Sequence, residues 1–410
     1  ANVKATRAWR GAFVKALEKE CRNPDPTGMT VATAASTDFP EEFGRTFQAW
    51  MSYNMSWHYA GLLCAEKLLL AWGDRRLAER VRGQAAKIRR HFVPVFWNPK
   101  NGFWNEGVHP TNPDLVCDIP LSTAMGAMDS PYGEDLYGDK FAESAAFCAR
   151  EFMREDGVHI IRRNEDRGWK EWTRQPNNWF AANDTMMVRL MRSTGNARAL
   201  EQLFYLYEIN FGYQPCVFEG KPFQRPLNTS GSWQAFGAGA WYRNLVEGAA
   251  GLWADLGGLG IMPCGLGEPV RLSGLRYCGA VIDFTATGQG TWPAKLLVDS
   301  KPLTGTTKLP PLSRGPHRVE VEYGPSMPVF PVITLAVDAE VRNVRARPGE
   351  TRAALRGRGY TPVSFFSPGK PEVIVNGRAV PAEWDPQTGR GRFRVVLSGK
   401  ADVRIRAEGK

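Results

Sequence analysis

No stretch of the 410 residues approaches the ~18–20 uninterrupted apolar residues of a spanning helix, and the first residues carry no apolar signal segment. The expectation is a chain that does not enter a membrane. Cysteine is scarce and scattered: Cys21, Cys64, Cys117, Cys148, Cys216, Cys264 and Cys278 are odd in number and form no CxxC pair. Most sit in apolar stretches such as Leu63-Cys64-Ala65 and Phe147-Cys148-Ala149, where a thiol acts as a small hydrophobe. That pattern argues against a disulfide framework and leans toward reduced thiols in a cytoplasmic compartment.

The five histidines (His58, His91, His109, His159, His317) stand far apart, without ligand spacing. There is no GxxxxGK[ST], no GxGxxG at a strand-to-helix turn, no HExxH and no GxSxG. Nucleotide-cradling, metalloprotease and serine-hydrolase chemistry therefore lack support, and no metal or cofactor is expected.

What is present is an ordinary globular composition, 43% hydrophobic and 23% charged, in a chain long enough for several domains. The formal charge of +10 is uneven: 30 basic and 28 acidic residues fall in 1–254, against 22 and 14 in 255–410. A basic C-terminal third could meet nucleic acid, an acidic polysaccharide or an anionic surface. Because no dense Lys/Arg run occurs, the plainer reading is solvated arginines on strand faces, and neither nucleic acid nor membrane is expected as a partner.

Residues 1–254 show apolar positions at three- and four-residue spacing, predicting helices over about 3–21, 46–72, 74–96, 119–129, 134–154, 176–194, 197–211 and 231–254. Gly73-Asp74 and Gly195-Asn196 supply a terminator and the next cap, so the helices pair as hairpins. Beyond Gly257 the texture becomes period-two, as in Arg318-Val319-Glu320-Val321-Glu322-Tyr323 and Asp402-Val403-Arg404-Ile405-Arg406. Asn376-Gly377 and Asp385-Pro386-Gln387-Thr388-Gly389 read as hairpin turns. The expectation is a multidomain all-α plus all-β chain: a helical domain over 1–256, a β-sandwich module over 257–324 and a second, basic β module over 325–410.

Aromatics concentrate in the helical part, with 12 of 14 Trp in residues 1–253, many of them in loops. Trp104, Trp169, Trp172, Trp179 and Trp233, with Trp97 and Phe103, are candidates to stack on sugar rings. Each could equally cover a helix end, since large rings usually serve burial. Carboxylates recur in the same loops: Asp38, Glu41 and Glu42, Asp118, Glu165, Asp166 and Glu171, and Glu219. Glycosidic hydrolysis needs one carboxyl to protonate the leaving oxygen and another to activate water or attack. Each of these acids, taken alone, also reads as a cap or a solvated charge.

Three stretches carry a family resemblance: Thr37-Asp38-Phe39-Pro40-Glu41-Glu42 ahead of a helix with Tyr53 and Tyr59; Cys216-Val217-Phe218-Glu219; and Ser230-Gly231-Ser232-Trp233-Gln234-Ala235-Phe236-Gly237. With the helical hairpins and the following β modules, they resemble the six-hairpin (α/α)6-barrel glycosidases, closest to the α-L-rhamnosidase type of glycoside hydrolase family 78. The resemblance implies an inverting hydrolase with Glu219 as general base and an acid among Asp38, Glu41 and Glu42. Trp104, Asp118, Trp169, Trp172, Trp179, Trp233 and Gln234 would line the subsites for a glycoside, oligosaccharide or polysaccharide. The loop departs from the family's Gly-Asp-Trp, Phe218 stands where Trp is usual, and Trp233-Gln234 replaces Asn-His.

Eight predicted helices fall short of the barrel's twelve, the family's first hairpins being the missing ones; a homo-oligomer or complementary chain completing the barrel, or a chain that is a fragment, is expected ahead of further helices hidden in segments read as loops. A related glycoside phosphorylase and a non-catalytic carbohydrate-binding or assembly subunit are the alternatives.

Overall fold

The computed structural model describes residues 8–33, 48–117, 126–128, 130–154, 157–158, 179–196, 219–220 and 243–408. They combine helices with several sheets in a mixed α and β multidomain chain. Two units result, one of Ala1–Leu190 with Gln202–Tyr242 and one of Met191–Glu201 with Arg243–Lys410.

In the first unit, α1 (Arg10–Glu20), α2 (Ser52–Ala71), α3 (Arg75–Phe96), α4 (Gly133–Tyr137) and α5 (Lys140–Glu151) follow in order, and α6 (Ala181–Thr194) begins there. Helix α3 shows why the periodicity was informative: Leu77, Ala78, Val81, Ala85, Ile88, Phe92 and Phe96 are buried, while Arg75, Arg76, Arg80 and Arg90 face solvent. The α2–α3 joint turns on Gly73 at φ 84°, and the Asp74 carboxylate accepts from the Leu77 amide at 3.2 Å. These are the terminator and cap expected from Gly73-Asp74.

Several expected helix bounds need correction. Gln48–Met51 is a strand rather than the start of α2, because its backbone pairs with Ala32–Thr33 on one side and Gly107–His109 on the other. Gly107–His109 pairs in turn with Asn112–Cys117, so a four-stranded sheet lies in the region expected to be a helical domain. Residues 134–154 are divided by Gly138, whose φ of 62° leaves the helical region. Within the helix expected over 231–254, the described part is a π-helical turn, Asn244–Ala249, followed by Gly251 at φ 72° and a strand. The predicted helix at 197–211 and all of 119–129 except a 3₁₀ turn at 126–128 lie outside the described residues.

The second unit opens with hairpin β1 (Leu252–Asp255) and β2 (Gly258–Ile261), where Gly260 passes the Trp253 ring so closely that a Cβ would lie 2.5 Å from it. A five-stranded sheet follows, from β3 (Gly265–Tyr277), β4 (Ala280–Gly290), β5 (Trp292–Val298), β6 (Lys301–Pro302) and β7 (Gly315–Gly324), in the order β3-β4-β7-β5-β6. The β4–β7 pair is parallel and its other neighbours are antiparallel. Period two holds: Val319, Val321 and Tyr323 join a core with Ile282, Phe284, Leu252 and Ile261, while Glu320 and Glu322 lie outside it.

The terminal sheet comprises β8 (Val332–Ala336), β9 (Glu340–Arg347), β10 (Glu350–Phe366), β11 (Pro371–Val375), β12 (Arg378–Val380), β13 (Ala382–Trp384) and β14 (Arg390–Ala407), all pairs antiparallel. Strands β10 and β14 pair in unbroken register from Glu350↔Arg406 to Phe366↔Arg390. Leu355, Val363, Phe365, Phe393, Val403 and Ile405 form its core. Asn376 and Gly377, at φ 49° and 78°, make the β11–β12 turn in the left-handed region such a dipeptide favours. The second turn is held by Asp385, which accepts from the Gln387 amide at 2.9 Å and the Thr388 hydroxyl at 2.6 Å.

An ion pair stands where hairpin β1–β2, the stretch between β6 and β7, and the turn after Val332–Ala336 meet. Lys308 and Asp255 side chains are 0% and 1% exposed, and their contact is 2.5 Å long. The ammonium also lies 4.3 Å from the Trp253 ring centroid, and Asp255 accepts from the amides of Gly257 and Asp338, both at 2.7 Å. Burial raises the Asp255 pKa, with Lys308 opposing that rise. Elsewhere Trp292 packs against Phe366, centroids 4.6 Å apart, in a small apolar cluster with Val332.

Candidate functional site

Glu219 lies in a two-residue strand, Glu219–Gly220, paired antiparallel with Trp179–Phe180. The register sets Glu219 opposite Phe180 and Gly220 opposite Trp179, and Trp179–Phe180 leads directly into α6. Backbone pairing therefore joins the candidate base and one candidate subsite aromatic in a single ribbon, with directly opposed residues only ~5 Å apart. Asp38, Glu41, Glu42, Asp118, Trp169, Trp172, Trp233 and Gln234 lie outside the described residues.

Trp104 lies in the core. It pairs with Trp97 in the ribbon Trp97–Asn98/Phe103–Trp104, but its side chain is only 1% exposed. Phe92, Trp97 and Tyr137 pack around it at centroid distances of 5.5, 5.0 and 4.8 Å, and its indole N–H donates to Ser144 Oγ at 2.8 Å. A ring enclosed by three others, its one donor satisfied, has no face for a sugar. Phe103 is likewise core, stacked on Phe147 at 4.3 Å.

The first unit also buries carboxylates that the loop-centred reading passed over. Glu66, fully buried on α2, accepts from Arg82 of α3 at 2.9 Å. Its sequence signal was legible: Glu66 stands among Leu62, Leu63, Leu69 and Leu70 on the helix's apolar spacing. Asp135 of α4, 3% exposed, accepts the Tyr59 hydroxyl of α2. Glu106, fully buried, precedes Gly107, and its backbone carbonyl accepts from the Ser52 amide at 3.0 Å. Nearby, Ser56 accepts from the Ala127 amide at 2.8 Å and donates to the Tyr53 carbonyl at 2.7 Å, beside the half-exposed Tyr53–Trp57 pair.

In the second unit, Ser313, His317 and Asp299 meet in an order that mimics a nucleophilic triad. His317 Nδ1 is 2.8 Å from Asp299 and Nε2 is 3.3 Å from Ser313 Oγ. However, Nε2 is also 3.0 Å from the Ser313 carbonyl, which can only accept. The ring thus satisfies both neighbours as an imidazolium, donating at each nitrogen, and cannot take the serine proton. Its hydrogen bond to Asp299 raises the His317 pKa, while the Arg318 amide and then His317 lower that of Asp299. The cluster is a loop clamp.

Among the described residues, no group of three His, Cys, Asp or Glu could hold a metal ion, and no helix is long and apolar enough to cross a membrane. Cys21 and Cys278 are free thiols.

No protein-family model and no curated protein matches this chain. Among solved structures it is similar to a sialidase, 13% identical, covering 93% of this chain and 30% of that one, with a TM-score of 0.45. It is also similar to an inverting mannosidase of family GH92 from Bacteroides thetaiotaomicron, 13% identical, covering 67% of this chain and 37% of that one, with a TM-score of 0.35. The chain thus spans about a third of the length of the structures it matches.

Proposed function

We propose that this protein is a glycoside hydrolase of the inverting, two-carboxylate kind, α-L-rhamnosidase-like, whose catalytic region lies within residues 1–256 on an (α/α)6-type frame. The observation that carries the reading is the backbone pairing of Glu219–Gly220 with Trp179–Phe180. It sets a carboxylate residue in one ribbon with aromatic residues, the combination a sugar subsite requires. The loop resemblances at Asp38-Phe39-Pro40-Glu41-Glu42 and Phe218-Glu219 support the assignment of roles.

In this reaction the acid, one of Asp38, Glu41 and Glu42, protonates the departing glycosidic oxygen. Glu219 takes a proton from a water that attacks the anomeric carbon from the opposite face. Inversion calls for carboxyl groups ~6.5–9.5 Å apart, enough to admit that water. The test is hydrolysis of aryl glycosides led by α-L-rhamnoside, with and without phosphate, with the first-formed anomer read by NMR. The expected result is phosphate-independent release with inversion. Glu219→Gln should lower kcat at least ~10³-fold, in keeping with loss of an essential base. Retained configuration, or undiminished hydrolysis by that variant, rejects the assignment.

A further inference from the structure

The terminal β module concentrates the chain's charge: residues 325–410 hold 15 Lys and Arg against 8 Asp and Glu, whereas 255–324 hold 7 against 6. The strand register turns this excess into a surface. Arg345 of β9 stands opposite Arg352 of β10, Arg352 opposite Arg404 of β14, and Arg404 opposite Ile374 of β11. One row across four strands thus carries three guanidinium groups at the ~4.8 Å spacing of neighbouring strands.

The next row has a small residue at its centre. Ala354 lies opposite Arg342 and Asp402, and the register shift between Arg342 and Arg345 accommodates Asn343 at φ 53°. Between the arginine row and the Asn376-Gly377 turn runs an open trough of about 740 Å³, lined by Arg345, Arg352, Arg404, Asn343, Asp402 and Ile374 among others.

The arginines are held from behind. Glu350 receives Arg352 at 2.8 Å, Arg347 at 3.0 Å, Arg406 at 3.2 Å and Arg404 at closer range, so one carboxylate faces four guanidinium groups. Glu372 takes a second contact from Arg406 at 3.3 Å. Asp402, the acidic group of the lining, is paired with Lys400 at 3.0 Å. Arg345 is exposed and has no ion pair among the described residues. The row is therefore a positive surface with Arg352 and Arg404 braced in place by Glu350 and Arg345 open to solvent, with guanidinium donors to spare.

We propose that this trough binds an acidic polysaccharide, a chain of uronate residues whose carboxylates engage Arg345, Arg352 and Arg404 in succession. The trough is open and elongated across strands, which suits an extended polymer, and guanidinium groups match carboxylates bidentately. Its lining has no aromatic ring, so nucleic-acid bases would find no stacking platform there. Asn343, Asp402 and the backbone at Gly377 offer partners for sugar hydroxyls. The choice of a glycan among polyanions rests on the glycosidase reading above; the charge and the geometry do not.

The test is affinity electrophoresis of the full chain in gels carrying polygalacturonate, neutral dextran or single-stranded oligothymidylate. Retardation by polygalacturonate, weakened by salt, with none by dextran, is expected. Arg345→Glu should weaken it at least ~5-fold, whereas Arg271→Glu, the same charge change on β3, should stay within ~2-fold, because a local row of guanidinium groups and not net charge is responsible. No retardation by polygalacturonate, equal losses in both variants, or equal or tighter binding of oligothymidylate would overturn the proposal. Glu219→Gln should bind polygalacturonate normally and Arg345→Glu should hydrolyse a small aryl glycoside normally, so failure of catalysis and failure of the trough are read separately.

Discussion

The two β modules of the second unit are built by one rule and finished in opposite ways. Each sends alternate residues into its core, Val319, Val321 and Tyr323 in the first, Ala353, Leu355, Val363 and Phe365 in the second. Their remaining positions diverge. The first is nearly neutral and keeps its charges in local clamps such as His317–Asp299, whereas the second lines up arginines across three strands beside one glutamate. Period-two burial decides that a sheet forms; what occupies the solvent face is left free for other work.

The largest test of this contrast breaks the joint that both modules share. Lys308→Met leaves the buried Asp255 carboxylate without its ammonium, and removing one partner of a buried pair costs ~3–5 kcal/mol. The urea midpoint followed by circular dichroism should fall accordingly, and an unchanged midpoint would remove the pair from the account of how these segments are joined.

Glu350 sharpens the comparison within the terminal module. Burial works against its charge, but hydrogen bonds from Arg352, Arg404 and Arg406 outweigh that and hold its pKa at about 2, against an ordinary 4.5. A depressed carboxylate contributes stability that is present above pH 4.5 and lost as pH falls toward 2. Glu350→Gln should cost ~1–3 kcal/mol at neutral pH and flatten the acid limb of the stability profile across that window. A wild-type acid limb in the variant would show that the network is not what titrates.

The smallest effect belongs to the first module. His317 has a raised pKa, so its contribution is complete below the unfolded value of ~6.5 and disappears as pH rises through the folded one. Asp299 is 45% exposed and solvent screens the pair, which limits the effect to ~0.5 kcal/mol. His317→Gln should abolish this alkaline decline in thermal stability and leave the acid limb set by Glu350 untouched.

Legibility followed the range of the interactions. The Gly73-Asp74 joint, the Asn376-Gly377 turn, the Asp385 loop and the stripe of α3 depend on residues within a few positions of one another, and their chemistry was visible in order along the chain. The strand at Gln48–Met51 was not, since its pairing partners are Ala32–Thr33 and Gly107–His109. Leu252–Asp255 continued an apolar pattern, and a short apolar run can serve helix or strand equally; Gly251 and the β2 partner decide it. For the candidate site, the sequence marked Glu219 and Trp179 as separate features and did not show that their strands pair.

The sequence by itself determined the local grammar: a helical region followed by period-two strands, the turns between them, and a positive excess toward the C-terminus. Only tertiary structure decided that Trp104 belongs to a core of rings, that Glu66 and Lys308 are buried with partners, and that Arg345, Arg352 and Arg404 share one row. The physical reason is that composition fixes how much charge and apolar surface a segment carries. Register and packing between distant segments fix which groups meet and which are shut away from water.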